Sequence, residues 1–111
     1  AGAGLRKYVV IEGVGETPPP SSRITMHYAT HLGDGRRVDT SREGRRIAPV
    51  AFQLGGSTVL QAWQHAAATM RQGEVAWVRS PPEFAYGATG APPCIPGDET
   101  VWFHLELEDF R

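Results

Sequence analysis

A chain of 111 residues has the scale of one domain with a modest core. Eleven Lys and Arg against twelve Asp and Glu leave a net charge of −1, so bulk charge points to neither nucleic acid nor an anionic membrane. No apolar run is long enough to span a bilayer and no secretory leader pattern opens the chain; the single Cys94 makes no internal disulfide, which fits a cytoplasmic setting.

Thirteen glycines and nine prolines imply many turns and few long helices. Residues 1–4, Ala-Gly-Ala-Gly, read as a flexible end, and 5–111 as one domain. Leu5 to Ile11 is β-branched and ends at Gly13 and Gly15, which predicts a strand. After a break at Thr17 to Pro20, Arg23 to Leu32 alternates. Ile24, Met26, Tyr28, Thr30 and Leu32 share one face; Thr25, His27, Ala29 and His31 share the other. Gly33-Asp34-Gly35 is a hairpin turn into a strand from Arg36 to Thr40. Ser41 to Ala48 is a polar loop or bulge, and Pro49 to Leu54 resumes as a strand.

One helix is expected. Ser57 or Thr58 would cap it, and Val59, Leu60, Trp63, Ala67 and Met70 fall on one face before Gly73 stops it. Gly73 to Ser80 and Thr100 to Phe110 read as strands, the last alternating Val101, Phe103, Leu105 and Leu107 against Trp102, His104, Glu106 and Glu108. The sum is an α+β domain, an antiparallel sheet of five or six strands with one helix across it.

Between the last two strands lies a Gly/Pro-rich connection of roughly twenty residues, long enough to imply either a functional loop or disorder. Phe84, Tyr86 and Ile95 within it favour an ordered loop, because they gain by burial.

Candidate chemistry is sparse. His27 and His31 sit roughly 13 Å apart by strand rise, too far to share one zinc, so no metal site is expected. No Walker or Rossmann glycine loop and no nucleophile elbow is present, and no cofactor is expected. Arg36, Arg37, Arg42, Arg45 and Arg46 are interleaved with Asp34, Asp39 and Glu43, which reads as a solvated hairpin rather than a nucleic-acid surface. Cys94 lies among Pro and Ile with no nearby cation to stabilise a thiolate, and reads as a small apolar side chain. Tyr28, Trp63 and Phe103 face inward, either as plain core or as a pocket. Asp39 follows Val38 in a strand expected to be half-buried; pointing inward, it needs a partner such as the Tyr28 hydroxyl or Arg45.

These residues also carry a resemblance. His27-Tyr28, Leu32-Gly33-Asp34-Gly35, Val38-Asp39-Thr40-Ser41, Phe52-Gln53-Leu54-Gly55, Val59-Leu60-x-x-Trp63, Met70-Arg71-Gln72-Gly73-Glu74, Ala85-Tyr86-Gly87-Ala88-Thr89-Gly90, Ile95-Pro96 and Phe103-x-Leu105-x-Leu107 resemble, in order, the FKBP family of peptidyl-prolyl cis/trans isomerases. The resemblance implies a half-open antiparallel sheet wrapped around a short helix, with a pocket between them floored by Trp63. It implies binding roles for Tyr28, Val38, Asp39, Val50, Val59, Leu60, Trp63, Tyr86, Ile95 and Phe103, with Asp39, Trp63, Tyr86 and Phe103 serving catalysis. The Leu60 N–H and the Tyr86 hydroxyl would donate to ligand carbonyls. Proline-containing peptides and tacrolimus- or rapamycin-like macrolides are the implied ligands.

The chain departs from that pattern. Val38-Asp39 stands where better catalysts have Phe-Asp, and Pro49-Val50-Ala51-Phe52 where they have Pro-Phe-x-Phe. Ala62, Ala91 and Cys94 replace the usual Gly, His and Ile, and Thr40–Pro49 is about two residues longer than in the short archetype. Each lost ring removes contact worth about 1–3 kcal/mol to a tight ligand, so reduced activity and macrolide affinity are expected. Two classes stay open, a prolyl isomerase assisting folding and a non-catalytic interaction module. The Glu108-Asp109-Phe110 ending resembles domains that continue into a tetratricopeptide module, through which a chaperone would be engaged.

Overall fold

The computed structural model describes residues 4–41 and 48–111. Ala1 to Ala3 of the expected flexible end, and Arg42, Glu43, Arg45 and Arg46 of the basic cluster, lie outside the described residues.

Six antiparallel strands form one sheet: β1 (Arg6–Ile11), β2 (Arg23–Leu32), β3 (Arg37–Thr40), β4 (Val50–Gln53), β5 (Val75–Ser80) and β6 (Val101–Phe110). The order is β1-β5-β6-β2-β3, with β4 also pairing β2. β3 and β4 take successive stretches of β2: Ala29 faces Thr40 and Thr30 faces Asp39, while Ile24 faces Phe52 and Met26 faces Val50. One α-helix among the described residues, α1 (Gln61–Thr69), packs on one face.

Alternation explains the core. One side of β2 and β6 buries Ile24, Met26, Thr30, Leu32, Val101, Phe103, Leu105 and Leu107. Against them α1 sets Ala62, Trp63, Ala66 and Ala67, all buried. Three alanines bring the helix close to the sheet, and Trp63 fills the remaining space.

The ends of α1 differ from expectation. Neither Ser57 nor Thr58 caps it; Leu60 occupies the N-cap with no side-chain hydrogen bond. Instead the Gln64 side chain reaches back, accepting from the Gly55 N–H at 2.7 Å and donating to the Gln53 carbonyl at 3.1 Å. The helix ends at Thr69, with Met70 extended and fully buried. Gly73, at φ +85, serves the turn into β5, where its N–H donates to the Leu107 carbonyl.

The connection between β5 and β6 is ordered. A 3-10 turn at Pro82–Phe84 opens it. The Gly87 N–H donates to Pro82, the Asp98 N–H to Gly87 and the Gly90 N–H to Tyr86, while Ala91 and Ile95 exchange a pair of bonds. The Pro92–Pro93 bond is cis. At Gly90, φ is +70 and a Cβ would collide with the Ile95 and Pro96 carbonyls, so only glycine fits. Ile95 is buried, Phe84 and Tyr86 are half-buried, and Cys94 is an exposed free thiol rather than an apolar filler.

Candidate functional site

Where β2, β6, α1 and the long connection meet, three rings form a continuous set. The Tyr28 and Trp63 centroids lie 4.7 Å apart with planes at 41°. Trp63 meets Phe103 edge-on, at 5.7 Å and 83°. Each ring arrives for a simple reason: Tyr28 and Phe103 occupy inward phases of two paired strands, and Trp63 lies on the buried stripe of α1. Phe103 is fully buried and Trp63 nearly so, whereas Tyr28 is half-open.

Polar groups stand at the margin. The Tyr28 hydroxyl donates to Asp39 Oδ2 at 3.3 Å, and the other carboxylate oxygen accepts the Thr40 N–H at 2.8 Å. Asp39 itself is exposed, in a strand whose Val38 and Thr40 are half-buried as expected. It shares the inward side with Thr30, but β3 is the edge strand and ends the sheet there. The partner is the expected Tyr28; Arg45 lies outside the described residues.

Burial raises the pKa of the Tyr28 hydroxyl, with the Asp39 charge, their hydrogen bond and Tyr86 adding to it. Burial likewise raises that of Tyr86; the nearby Thr30 hydroxyl offsets part of this and the Asp39 charge adds to it. Thr30 Oγ1 is close enough to act on Tyr86 yet lacks good bonding geometry to any described group, as does Trp63 Nε1. Both tyrosines therefore remain protonated donors at neutral pH.

Val59 and Leu60 approach the helix start, half-buried against the core. The uncapped start leaves the Leu60 N–H without an acceptor among the described residues. Val38 and Val50 are half-buried against the same core, and Ile95 closes the loop side. The expected residues other than Asp39 thus belong to, or pack against, one hydrophobic cluster. Thr30, buried on an inward phase of β2, adds a hydroxyl beside Tyr86. His27 and His31 point to the other face. There His27 Nδ1 lies 3.0 Å from Ser41 Oγ and its Nε2 lies 3.4 Å from Glu108, while His31 packs edge-on against Trp77.

No helix among the described residues is long and apolar enough to cross a membrane. The FKBP-type peptidyl-prolyl cis-trans isomerase profile matches residues 15–108. Peptidyl-prolyl cis-trans isomerase FKBP4 of Mus musculus is 42% identical over 109 residues, covering 97% of this chain and 23% of its own length. FK506-binding protein 59 of Drosophila melanogaster is 40% identical over 105 residues, 94% of this chain and 24% of its own. FK506-binding protein 1 of Dictyostelium discoideum is 37% identical over 108 residues, 97% of this chain and 99% of its own. The chain spans about a quarter of the length of the first two relatives. With this match across most of its length, and with the antiparallel sheet and single helix described above, the chain belongs to the FKBP-type peptidyl-prolyl cis-trans isomerase family.

Proposed function

We propose that the chain accelerates cis/trans exchange of X-Pro bonds by binding the twisted amide in the Tyr28–Trp63–Phe103 cleft. The observation that carries this reading is the ring set itself, bordered by the Tyr28 and Tyr86 hydroxyls. Rotation about an X-Pro bond must lose amide resonance, a barrier of roughly 18–20 kcal/mol. No covalent bond is made or broken. A site need only hold the twisted amide better than the planar one. The twisted amide is less dipolar, so an apolar floor of Trp63 and Phe103 favours it. Val59 and Ile95 would flank the proline ring. The Leu60 N–H and the Tyr86 hydroxyl would donate to carbonyls on either side of the bond. Asp39 would hold the Tyr28 ring through its hydroxyl and keep the polar margin negative.

The substrates are proline-containing peptides or proteins. Tacrolimus- and rapamycin-like macrolides would occupy the same cleft with reduced affinity, because Val38 and Val50 supply less ring contact. A role in protein folding as a co-chaperone domain, cytoplasmic in setting, completes the reading. A chaperone would be engaged by a module outside these 111 residues. A second reading, a non-catalytic interaction module, draws on the same two valines.

The test is cis/trans exchange of a Leu-Pro peptide by NMR, with catalytic amounts of the parent, Tyr86→Phe and Asp39→Ala. Acceleration that falls in both variants is expected. No acceleration by a folded parent would leave the interaction module standing.

A further inference from the structure

The sheet face turned away from α1 carries an aromatic set that the isomerase cleft does not use. Register brings it together. Tyr8, Trp77 and His104 form one row across β1, β5 and β6, while Arg6, Arg79, Trp102 and His31 form the next, reaching β2. Tyr8 lies 5.8 Å from Trp102, and Trp102 meets Trp77 edge-on at 6.4 Å and 78°. Between Trp77, Trp102, His31 and the glycines of the β2–β3 turn lies an open apolar cavity of about 350 Å³. Nothing approaches the site of a Cβ on Gly35; beside Gly33, at the end of the groove away from Arg6 and Arg79, the Glu99 carboxylate accepts the Gly33 N–H at 3.2 Å.

Around Trp77 the rings form walls rather than a platform. His31, His104 and Trp102 all set edges or steep planes against Trp77, at 67°, 72° and 78°. A nucleobase needs an open ring face on which to stack. A polyproline II segment needs the opposite, a groove between aromatic walls that receives proline rings as ridges.

Charge sits beside the groove. Arg6 and Arg79 face each other across β1 and β5, both exposed, and Arg79 is the cross-strand neighbour of Trp102. Like charges placed directly opposite destabilise a sheet. Neither guanidinium has a carboxylate partner among the described residues; Arg6 bonds only the Leu5 carbonyl, at 3.4 Å. An incoming carboxylate would relieve that repulsion. On the groove wall, His31 also keeps Nδ1 buried without a partner.

We propose that this outer face is a second peptide site, which takes a polyproline II segment carrying an acidic residue next to its prolines. The prolines lie between Trp77 and Trp102, and the carboxylate lies across Arg79 and Arg6. The domain then holds a proline-rich partner on one face while its cleft stays free on the other.

The experiment follows the three indole N–H signals of 15N-labelled protein during titration with a Pro-Pro-Glu-Pro-Pro-Glu peptide. Parallel titrations use the same peptide with Lys for Glu, and oligouridylate. Saturable shifts at Trp77 and Trp102, with their own midpoint apart from any at Trp63, are expected for the acidic peptide alone. Arg79→Glu should weaken this binding roughly three- to tenfold, and Trp102→Ala roughly thirtyfold. Both variants should leave catalysed Leu-Pro exchange unchanged. Should Trp102→Ala not fold, the exposed Arg79→Glu decides alone. Shifts confined to Trp63, equal binding of the Lys peptide, no effect of Arg79→Glu, or oligouridylate binding at Trp77 and Trp102 in place of the peptide would each overturn the proposal.

Discussion

Restoring the two missing rings is the sharpest test of the cleft. Val38 and Val50 sit half-buried on strands that pair successive stretches of β2, Val50 directly opposite the buried Met26. Phe for Val adds roughly four carbons at each position, and at about 0.8 kcal/mol per buried methylene with half burial each ring gains ~1–2 kcal/mol of ligand contact. That is a roughly five- to thirtyfold tighter Kd per substitution. The double variant should gain less than the product wherever the two rings touch each other. The assay is calorimetric titration of Val38→Phe, Val50→Phe and the double variant with a tacrolimus-like macrolide, beside thermal melts to verify folding. If all three variants melt as the parent does and bind no tighter, the valines do not line the ligand cleft and the argument from lost rings fails.

Other expectations follow from the same contacts. Glu74 is 5% exposed and held by Lys7 at 2.6 Å; Lys7→Met should cost about 1–3 kcal/mol in urea unfolding, and Lys7→Met with Glu74→Met should recover much of it. Gly90→Ala should cost about 1–3 kcal/mol through backbone strain, read as lost amide-exchange protection at Ala91 and Ile95. Tyr28 and Tyr86 both ionise above the ordinary 10.0 in the folded state, burial being the main cause in each. Their contribution to stability is therefore complete below pH 10.0 and is lost as pH rises through the folded-state values. Urea midpoints measured from about pH 9 to 12 should fall in that sense, and the fall should shrink in Tyr86→Phe.

The periodic parts of this fold were legible. β2 spans Arg23–Leu32 as its alternation indicates, and β6 buries the expected Val101, Phe103, Leu105 and Leu107. A two-residue period with one buried face leaves little freedom in either. Tyr28, Trp63 and Phe103 were legible as inward-facing because they occupy inward strand phases or the helix stripe; the remaining candidates rest on their order in a known family. Less was visible where side chains set the backbone. Ser57 and Thr58 are good capping residues, yet the Gln64 amide, bonding Gly55 and Gln53, anchors the segment leading into α1. Asp39 shares a side with Thr30, and its exposure follows from β3 lying at the edge of the sheet, which no local pattern states.

The amino-acid sequence by itself thus determined where the strands and the one described α-helix fall, since each rests on local periodicity, whereas the choice of cleft residues rests on the family resemblance. Tertiary structure alone decided what lies together on the outer face. Tyr8, Trp77, Trp102 and His31 each occupy an outward phase of a different strand, where one exposed ring is unremarkable. Only the register of β1, β5, β6 and β2 places them side by side with Arg6 and Arg79. Strand order and register are fixed by long-range pairing, and no local pattern encodes them.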